Sequence, residues 1–197
     1  MKVLFIHIPK TAGTSIREWV HVNKPDTLRC FGHVPYHEVI KQYDEFDWSF
    51  TVVRNTYERM VSLYLYSWNK SKRRMEKAIK RGEVDQQNTF VVEQAEKGII
   101  PFYKSFLDES RPELNEGLLI SQLEYSNGVD YILDHNTLDQ DLKIVQEKLN
   151  VDAPLTQMQN YMATEDKKKQ YYTPEFLSLI EKHYGEEIEK FKYSHPK

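Results

Sequence analysis

The stretch from Val3 to Ser15 reads Val-Leu-Phe-Ile-His-Ile-Pro-Lys-Thr-Ala-Gly-Thr-Ser, and it carries the clearest structural signal in this chain. Its first four residues are apolar and predict a buried strand, while the Pro-Lys-Thr segment and the glycine behind it predict a turn. A strand, a tight turn and a helix in this order open an α/β unit. We therefore expect a strand over residues 2–8 and a helix from Ser15 to about Val22.

The turn after this strand has the composition of an anion-binding loop. Gly13 lets the backbone approach a ligand closely, and the first amides of a helix have no partner inside the helix. Lys10 adds a positive charge, and the loop hydroxyls add hydrogen-bond donors. The candidate contacts are the six residues of the loop, namely Lys10, Thr11, Ala12, Gly13, Thr14 and Ser15.

This loop differs from a Walker A motif in the order of its residues. Walker A places its lysine after the second glycine, as G-x-x-x-x-G-K-[ST]. Here Lys10 precedes Gly13, and no glycine lies five residues upstream. A second interpretation is a plain helix start, because Ser15 and Glu18 have the Ser-x-x-Glu spacing of a capping box. The two interpretations are compatible.

Residues 48–68 predict a second junction between a strand and a helix. Phe50 to Val53 are β-branched or aromatic and suit a buried strand. Asn55 and Glu58 have the spacing of an N-cap and the third helical residue, so we expect a long helix over 56–81.

Two polar side chains at this second junction are candidates for a phosphate site. Arg54 ends the expected strand, and Ser62 lies about two turns into the expected helix. A guanidinium binds phosphate as a bidentate fork, and a hydroxyl adds one donor. We expect the pair to converge on one phosphate; the alternatives are a strand-end salt bridge for Arg54 and a solvated position for Ser62.

The rest of the chain continues the alternation of short strands and helices. A strand is expected over 131–133, and further helices over 36–43, 89–97, 137–149 and from Thr173 onward. The pattern predicts one domain over residues 1–197 of the α/β class, with a P-loop-like parallel sheet flanked by helices. Such sheets bind ligands beyond the carboxyl ends of their strands, where both candidate phosphate segments lie.

Both segments resemble those of sulfotransferases that use 3′-phosphoadenosine 5′-phosphosulfate (PAPS). Pro9 to Ser15 look like the 5′-phosphosulfate loop, and Arg54 to Tyr64 like the 3′-phosphate segment, although the family commonly has Asp-Pro where this chain has Asn55-Thr56. Residues 133–149 and Asn160 resemble a later segment of the family, and residues 171–175 and 191–193 look like the tyrosine-rich tail of its carbohydrate-type, heparan sulfate 2-O-sulfotransferase-like branch. The resemblance implies PAPS as donor, and 3′-phosphoadenosine 5′-phosphate (PAP) as product, bound at these two segments.

Sulfuryl transfer needs a cation at the leaving oxygen and a base at the acceptor. Lys10 is the candidate for the first role. His33 is the candidate base, because imidazole titrates near neutral pH and the resemblance implies a catalytic histidine in the loop after the first helix. The alternative for His33 is a loop histidine bonded to backbone. This scheme requires no metal, and Pro35 disfavours a helical metal pair of His33 and His37.

The composition restricts the partners of this chain. The net charge of −3 gives no overall attraction to nucleic acid or an anionic membrane. The single cysteine, Cys30, forms no internal disulfide, and nothing approaches the roughly 18 consecutive apolar residues of a membrane span. The first apolar stretch is also too short for a signal peptide. We therefore expect a cytoplasmic enzyme with a small-molecule or carbohydrate acceptor and no nucleic-acid or membrane partner.

Two other functions are open at this level. One is a P-loop nucleotide kinase or phosphotransferase, which the absence of a Walker A lysine and of a clear Mg²⁺-holding aspartate disfavours. The other is a non-catalytic nucleotide-binding protein on the same fold.

Two clusters of basic residues each have two interpretations. The cluster over 70–81 suits a solvated helix face or a rim for an anionic ligand, and the cluster over 167–169 suits a charged loop or a lid over the nucleotide. We expect loops at 34–47 and 68–120 to shape the acceptor pocket.

Overall fold

The structure is a computed structural model that describes residues 1–43, 45–107, 117–155 and 165–196. The chain separates into two compact units, each formed by two segments. Unit 1 comprises Met1–Asn55 and Gly117–Gln159, and unit 2 comprises Thr56–Glu116 and Asn160–Lys197. The single domain expected over 1–197 stays a prediction.

The described residues form four strands and nine helices, numbered along the chain. The strands all belong to unit 1 and are β1 Val3–Ile6, β2 Leu28–Arg29, β3 Trp48–Val53 and β4 Tyr131–Asp134. The helices of unit 1 are α1 Gly13–Asn23, α2 Tyr36–Ile40, α6 Gln122–Ser126 and α7 Leu138–Leu149. The helices of unit 2 are α3 Thr56–Lys80, α4 Gln86–Glu96, α5 Ile99–Phe106, α8 Glu165–Lys169 and α9 Pro174–Lys190.

The four strands form one parallel sheet in the order β2-β1-β3-β4. The registers of β1 and β3 pair Val3 with Trp48 and Ile6 with Thr51. Because the two strands are parallel neighbours, their carboxyl ends lie side by side. The expected α/β class with a parallel sheet flanked by helices is thereby confirmed.

One face of the sheet packs against α1 and α7 in the core of unit 1. Phe5 and Phe50 are fully buried on adjacent strands with their ring centroids 4.9 Å apart. Alternate strand residues meet the apolar sides of the two helices, and β1 and β3 are buried at every position, as is usual for the inner strands of a parallel sheet. The core residues are Val3, Phe5, Ile16, Trp19, Val20, Trp48, Phe50, Val52, Leu133, Leu138, Leu142, Val145 and Leu149. This packing fixes α1 behind the end of β1.

Two expectations about unit 1 need correction. Helix α1 begins at Gly13 rather than Ser15, with a left-handed Ala12 as its N-cap, so a capping box of Ser15 and Glu18 is wrong. Strand β2 and helix α6 were not expected, since two and five residues are too short to show a hydrophobic period.

Unit 2 is helical, and its helix ends follow local signals in the sequence. Helix α3 ends before Gly82, which adopts a left-handed φ of 71°. Helix α9 begins with Pro174 after Thr173, whose side chain accepts a hydrogen bond from the Phe176 amide. These two boundaries confirm the expectations. No helix in the described ranges combines the length and the apolar character needed to cross a membrane.

Candidate active site

The turn between β1 and α1 has an unusual backbone. Lys10 and Ala12 both have a φ of 69°, in the left-handed region that residues with a Cβ rarely adopt. Such a conformation costs on the order of 1–3 kcal/mol per residue and persists only where the surroundings impose it. Left-handed residues that alternate with ordinary ones turn successive N–H groups toward one side, which forms an anion-binding concavity.

Helix α1 begins at this turn without a side-chain cap. Its first backbone hydrogen bond runs from the Ile16 amide to the Ala12 carbonyl over 3.2 Å. The amides of Gly13, Thr14 and Ser15 therefore precede the hydrogen-bonded ladder, at the positive end of the helix dipole. Thr14 is exposed and Ser15 is half-buried, so this end of the helix is accessible to a ligand.

The side chain of Thr11 holds the turn together from within. Its hydroxyl donates a hydrogen bond of 2.9 Å to the Ile8 carbonyl, and the residue is fully buried. A hydroxyl has one hydrogen, and here that hydrogen is used inside the protein. Thr11 therefore contributes to the shape of the turn.

Gly13 makes room for the ring of His7. A Cβ placed on Gly13 would overlap the imidazole of His7, which is only 8% exposed. The sequence suggested that Gly13 lets a ligand approach the backbone, whereas the close neighbour in the structure is a side chain of the preceding strand end. The missing Cβ lets α1 begin directly against this ring.

Basic groups surround His7. Burial is the main cause that lowers the pKa of its imidazole to about 3, and the charges of His33, Arg17 and Lys10 lower it further. Arg17 and Lys10 are cationic side chains, so the end of β1 lies in a region of positive potential. His7 itself stays neutral at physiological pH.

His33 lies beside the same strand end. Its Nδ1 is 2.8 Å from the His7 carbonyl oxygen, and the two ring centroids are 4.4 Å apart. Because a carbonyl only accepts, Nδ1 carries the proton and Nε2 of the neutral ring carries the lone pair. Tyr125 supports this loop, since its hydroxyl lies 2.7 Å from the Gly117 carbonyl and 3.2 Å from that of His33.

Arg54 reaches the same turn from the end of β3. Its Nη1 lies 3.5 Å from the Lys10 carbonyl oxygen, and its side chain is buried. The side-chain amide of Gln122 accepts from the Arg54 N–H at 2.8 Å and donates to the Arg54 carbonyl at 2.9 Å. Gln122 thus fixes the backbone of Arg54. No sequence signal pointed to this contact, because the two residues are 68 positions apart.

The remaining candidate positions lie in unit 2 or beyond the described ranges. Ser62 is buried in α3, and its convergence with Arg54 on one phosphate stays a prediction. The lysines over 167–169 lie in the short helix α8, so a charged loop is wrong there, and their role as a lid stays a prediction. Residues 108–116 of the expected acceptor loops and Asn160 lie outside the described residues.

The structure brings together Lys10, His33 and Arg54, and adds His7 and Gln122 to the candidate set. Comparison with models of known protein families finds no match, and no curated protein matches the sequence either.

The buried neutral His7 predicts a loss of stability in acid. The unfolded chain takes up a proton on His7 near pH 6.5, whereas the folded protein resists it down to about pH 3. Between pH 6.5 and about pH 3, the unfolded state thus binds more protons than the folded state. The stability that the neutral His7 contributes is therefore complete above pH 6.5 and declines as the pH falls. We expect a loss of about 2 kcal/mol between pH 7.5 and pH 5 from this group.

Urea unfolding at the two pH values measures this loss. The variant His7→Asn is expected to lower stability at pH 7.5 and to depend less on pH. His21→Asn is the matched control, since His21 is also a histidine of this region but is exposed on α1. If the free energy of unfolding changes with pH by the same amount in wild type and in His7→Asn, His7 is not the cause of the loss in acid.

Proposed function

We propose that this chain is a PAPS-dependent sulfotransferase on a P-loop-like fold, which transfers a sulfuryl group to an acceptor hydroxyl, with carbohydrate as the acceptor class. The observation that carries the proposal is that the Arg54 guanidinium lies against the carbonyl of Lys10 in the turn before α1, while the His33 imidazole lies against the carbonyl of His7 at the end of β1. A cationic, concave turn and a correctly oriented base are the parts that such a transfer needs.

The residues present suit the two ends of the donor. The left-handed turn, the leading amides of α1 and the Lys10 ammonium would hold the 5′-phosphosulfate. Thr11 would contribute its backbone N–H, because its hydroxyl bonds to Ile8. Arg54, one strand away at the end of β3, would hold the 3′-phosphate. Two anionic groups on one nucleoside match two cationic positions on adjacent strands.

The protein groups have separate roles in this proposal. When bound, PAPS supplies a sulfuryl group that is activated by its bond to a phosphate. His33 takes the proton of the acceptor hydroxyl at Nε2, since Nδ1 is held by the His7 carbonyl. Lys10 places a positive charge next to the phosphate oxygen that becomes the leaving group. The single Cys30, with no disulfide partner, supports the cytoplasm as the compartment.

Arg54→Ala tests the donor site. We expect the affinity for PAP, measured by isothermal titration calorimetry, to fall about 10- to 100-fold, because a charge-assisted contact to phosphate is lost. Arg29→Ala is the matched control; Arg29 is exposed on β2, and its Nη1 donates to the nearby carbonyls of Asp26 and Leu28. An unchanged dissociation constant in Arg54→Ala would refute the 3′-phosphate site.

The same preparations separate this proposal from the two alternatives. Labelled PAPS is offered with a panel of acceptors, and products are identified by mass spectrometry. A sulfated product without added metal supports the transferase. A requirement for ATP and Mg²⁺ supports a kinase, and PAP binding without any product supports a non-catalytic nucleotide-binding protein; either result overturns the proposal.

A further inference from the structure

A groove of about 450 Å³ lies between α1 and the edge strand β2, within unit 1. Thr14, at the start of α1, and Cys30, directly after β2, line one end. Lys24 and Asp26, in the connection from α1 to β2, line the other end. The groove therefore extends along α1 away from the proposed phosphosulfate loop. Its volume is in the range of roughly 300–1,000 Å³ that small-ligand sites have.

The Cys30 end of the groove is close to the proposed chemistry. The backbone of Gly32, the residue before His33, is close enough to the Cys30 thiol to lower its pKa, against the larger rise that burial causes. Arg17 lines the groove, and its charge lowers the pKa of His7 and opposes the rise that burial causes in the pKa of Cys30. The positive charge of the Arg17 guanidinium therefore acts at the ends of both β1 and β2. A molecule in this groove would present one end to the loop that carries His33.

The groove walls carry balanced charge. Arg17 and Lys24 are basic, and Glu18 and Asp26 are acidic. In the part of the chain that the structure describes, none of these four side chains is in an ion pair. Together they present both donors and acceptors, which is what hydroxyl groups need. Because the charges of these four side chains cancel, the groove has no net attraction for a polyanion, and its lining residues include no Phe, Tyr or Trp to stack on a phenol or a sterol.

We propose that this groove binds the acceptor, and that the acceptor is an uncharged oligosaccharide whose reacting hydroxyl lies at the Cys30 end. The inference rests on the proposed function. In the transfer, the acceptor oxygen bonds to sulfur, the bond between sulfur and the 5′-phosphate oxygen breaks, and the acceptor proton moves to His33. This location differs from the loops at 34–47 and 68–120 that the sequence suggested.

A pair of neighbouring tryptophan substitutions tests the location. His21→Trp fills the groove from an exposed position of α1 that lines it. Val22→Trp adds the same ring one residue further, at a position that is 71% exposed and does not line the groove. With cellotetraose, maltotetraose and chitotetraose as acceptors, kcat/KM is expected to fall at least about tenfold in His21→Trp alone. Equal effects in both variants, or no effect in either, overturn the location.

Acceptor charge is tested with the same assay. We expect wild type to favour the three neutral tetrasaccharides over tetragalacturonate, and the pair Glu18→Gln and Asp26→Asn to narrow that preference. Glu147→Gln, on the exposed side of α7, is the control. No turnover of any neutral probe, or a preference for tetragalacturonate, overturns the acceptor class. PAP affinity, measured in parallel, separates the two proposals. If the protein binds PAP but the groove variants fail the test, only the acceptor site in the groove is rejected. If the protein does not bind PAP, the sulfotransferase function itself is rejected.

Discussion

Replacing Lys10 with alanine is expected to reduce kcat for sulfuryl transfer about 10²- to 10³-fold, because a positioned charge at a developing oxyanion is worth several kcal/mol. The backbone should tolerate the change, since Ala12 already adopts the same φ of 69° two residues later. Steady-state kinetics with saturating PAPS measures the effect, and urea unfolding of the variant shows that the fold is kept.

A lysine remote from the turn supplies the comparison. Lys41 follows α2, is exposed and pairs with Glu38, so Lys41→Ala is expected to keep the kcat of wild type. Lys10→Ala is also expected to affect kcat more than PAP affinity, since the charge matters most when the leaving oxygen forms. A kcat within about twofold of wild type would exclude Lys10 from the leaving-group role.

Gly13→Ala is expected to lower the free energy of unfolding by about 1–3 kcal/mol, the usual cost of overpacking a buried site. Its new Cβ would occupy the space of the His7 imidazole. Displacement of His7 would also move the carbonyl that holds Nδ1 of His33, so transfer activity should fall together with stability. Chemical unfolding followed by circular dichroism, with kinetics on the same protein, measures both effects.

The His7→Ala, Gly13→Ala double variant tests the cause of this loss. Without the imidazole the new Cβ has room, so the second substitution should cost far less stability in the His7→Ala background than in wild type. Thr14→Ala is the matched control for stability, because Thr14 is the next residue of α1 and is exposed. Additive losses in the double variant would show that the overlap with His7 is not the reason.

Local patterns were sufficient for much of the fold. The apolar runs of β1 and β3 and the period of α3 predicted these elements, and Gly82 and Thr173-Pro174 marked helix boundaries that the structure confirms. The start of α1 was misjudged because a serine three residues before a glutamate also fits a capping box. A left-handed Ala12 as N-cap has no signal in the residue type, because alanine does not favour that conformation.

The sequence predicts the positions of the cationic residues in the candidate site, but it does not predict the contacts that hold them. Lys10 and Arg54 each follow an apolar run, so the sequence predicts that both lie at the carboxyl ends of parallel strands. His33 and its orientation depend on the His7 carbonyl, and the Arg54 backbone depends on Gln122. Neither contact has a sequence signature, because imidazole and amide groups bond equally well to many partners.

The pattern of residues predicts the alternation of strands and helices and the position of the cationic turn, because hydrophobic period and capping act within a few residues. Three features required the folded chain: Gly13 accommodates His7, His33 donates from Nδ1 to the His7 carbonyl, and Gln122 holds the backbone of Arg54. The hydrogen bonds to His33 and Arg54 join residues 26 and 68 positions apart. They form only after the parallel sheet has brought its strand ends together, so the geometry of the site follows from the packing of the sheet.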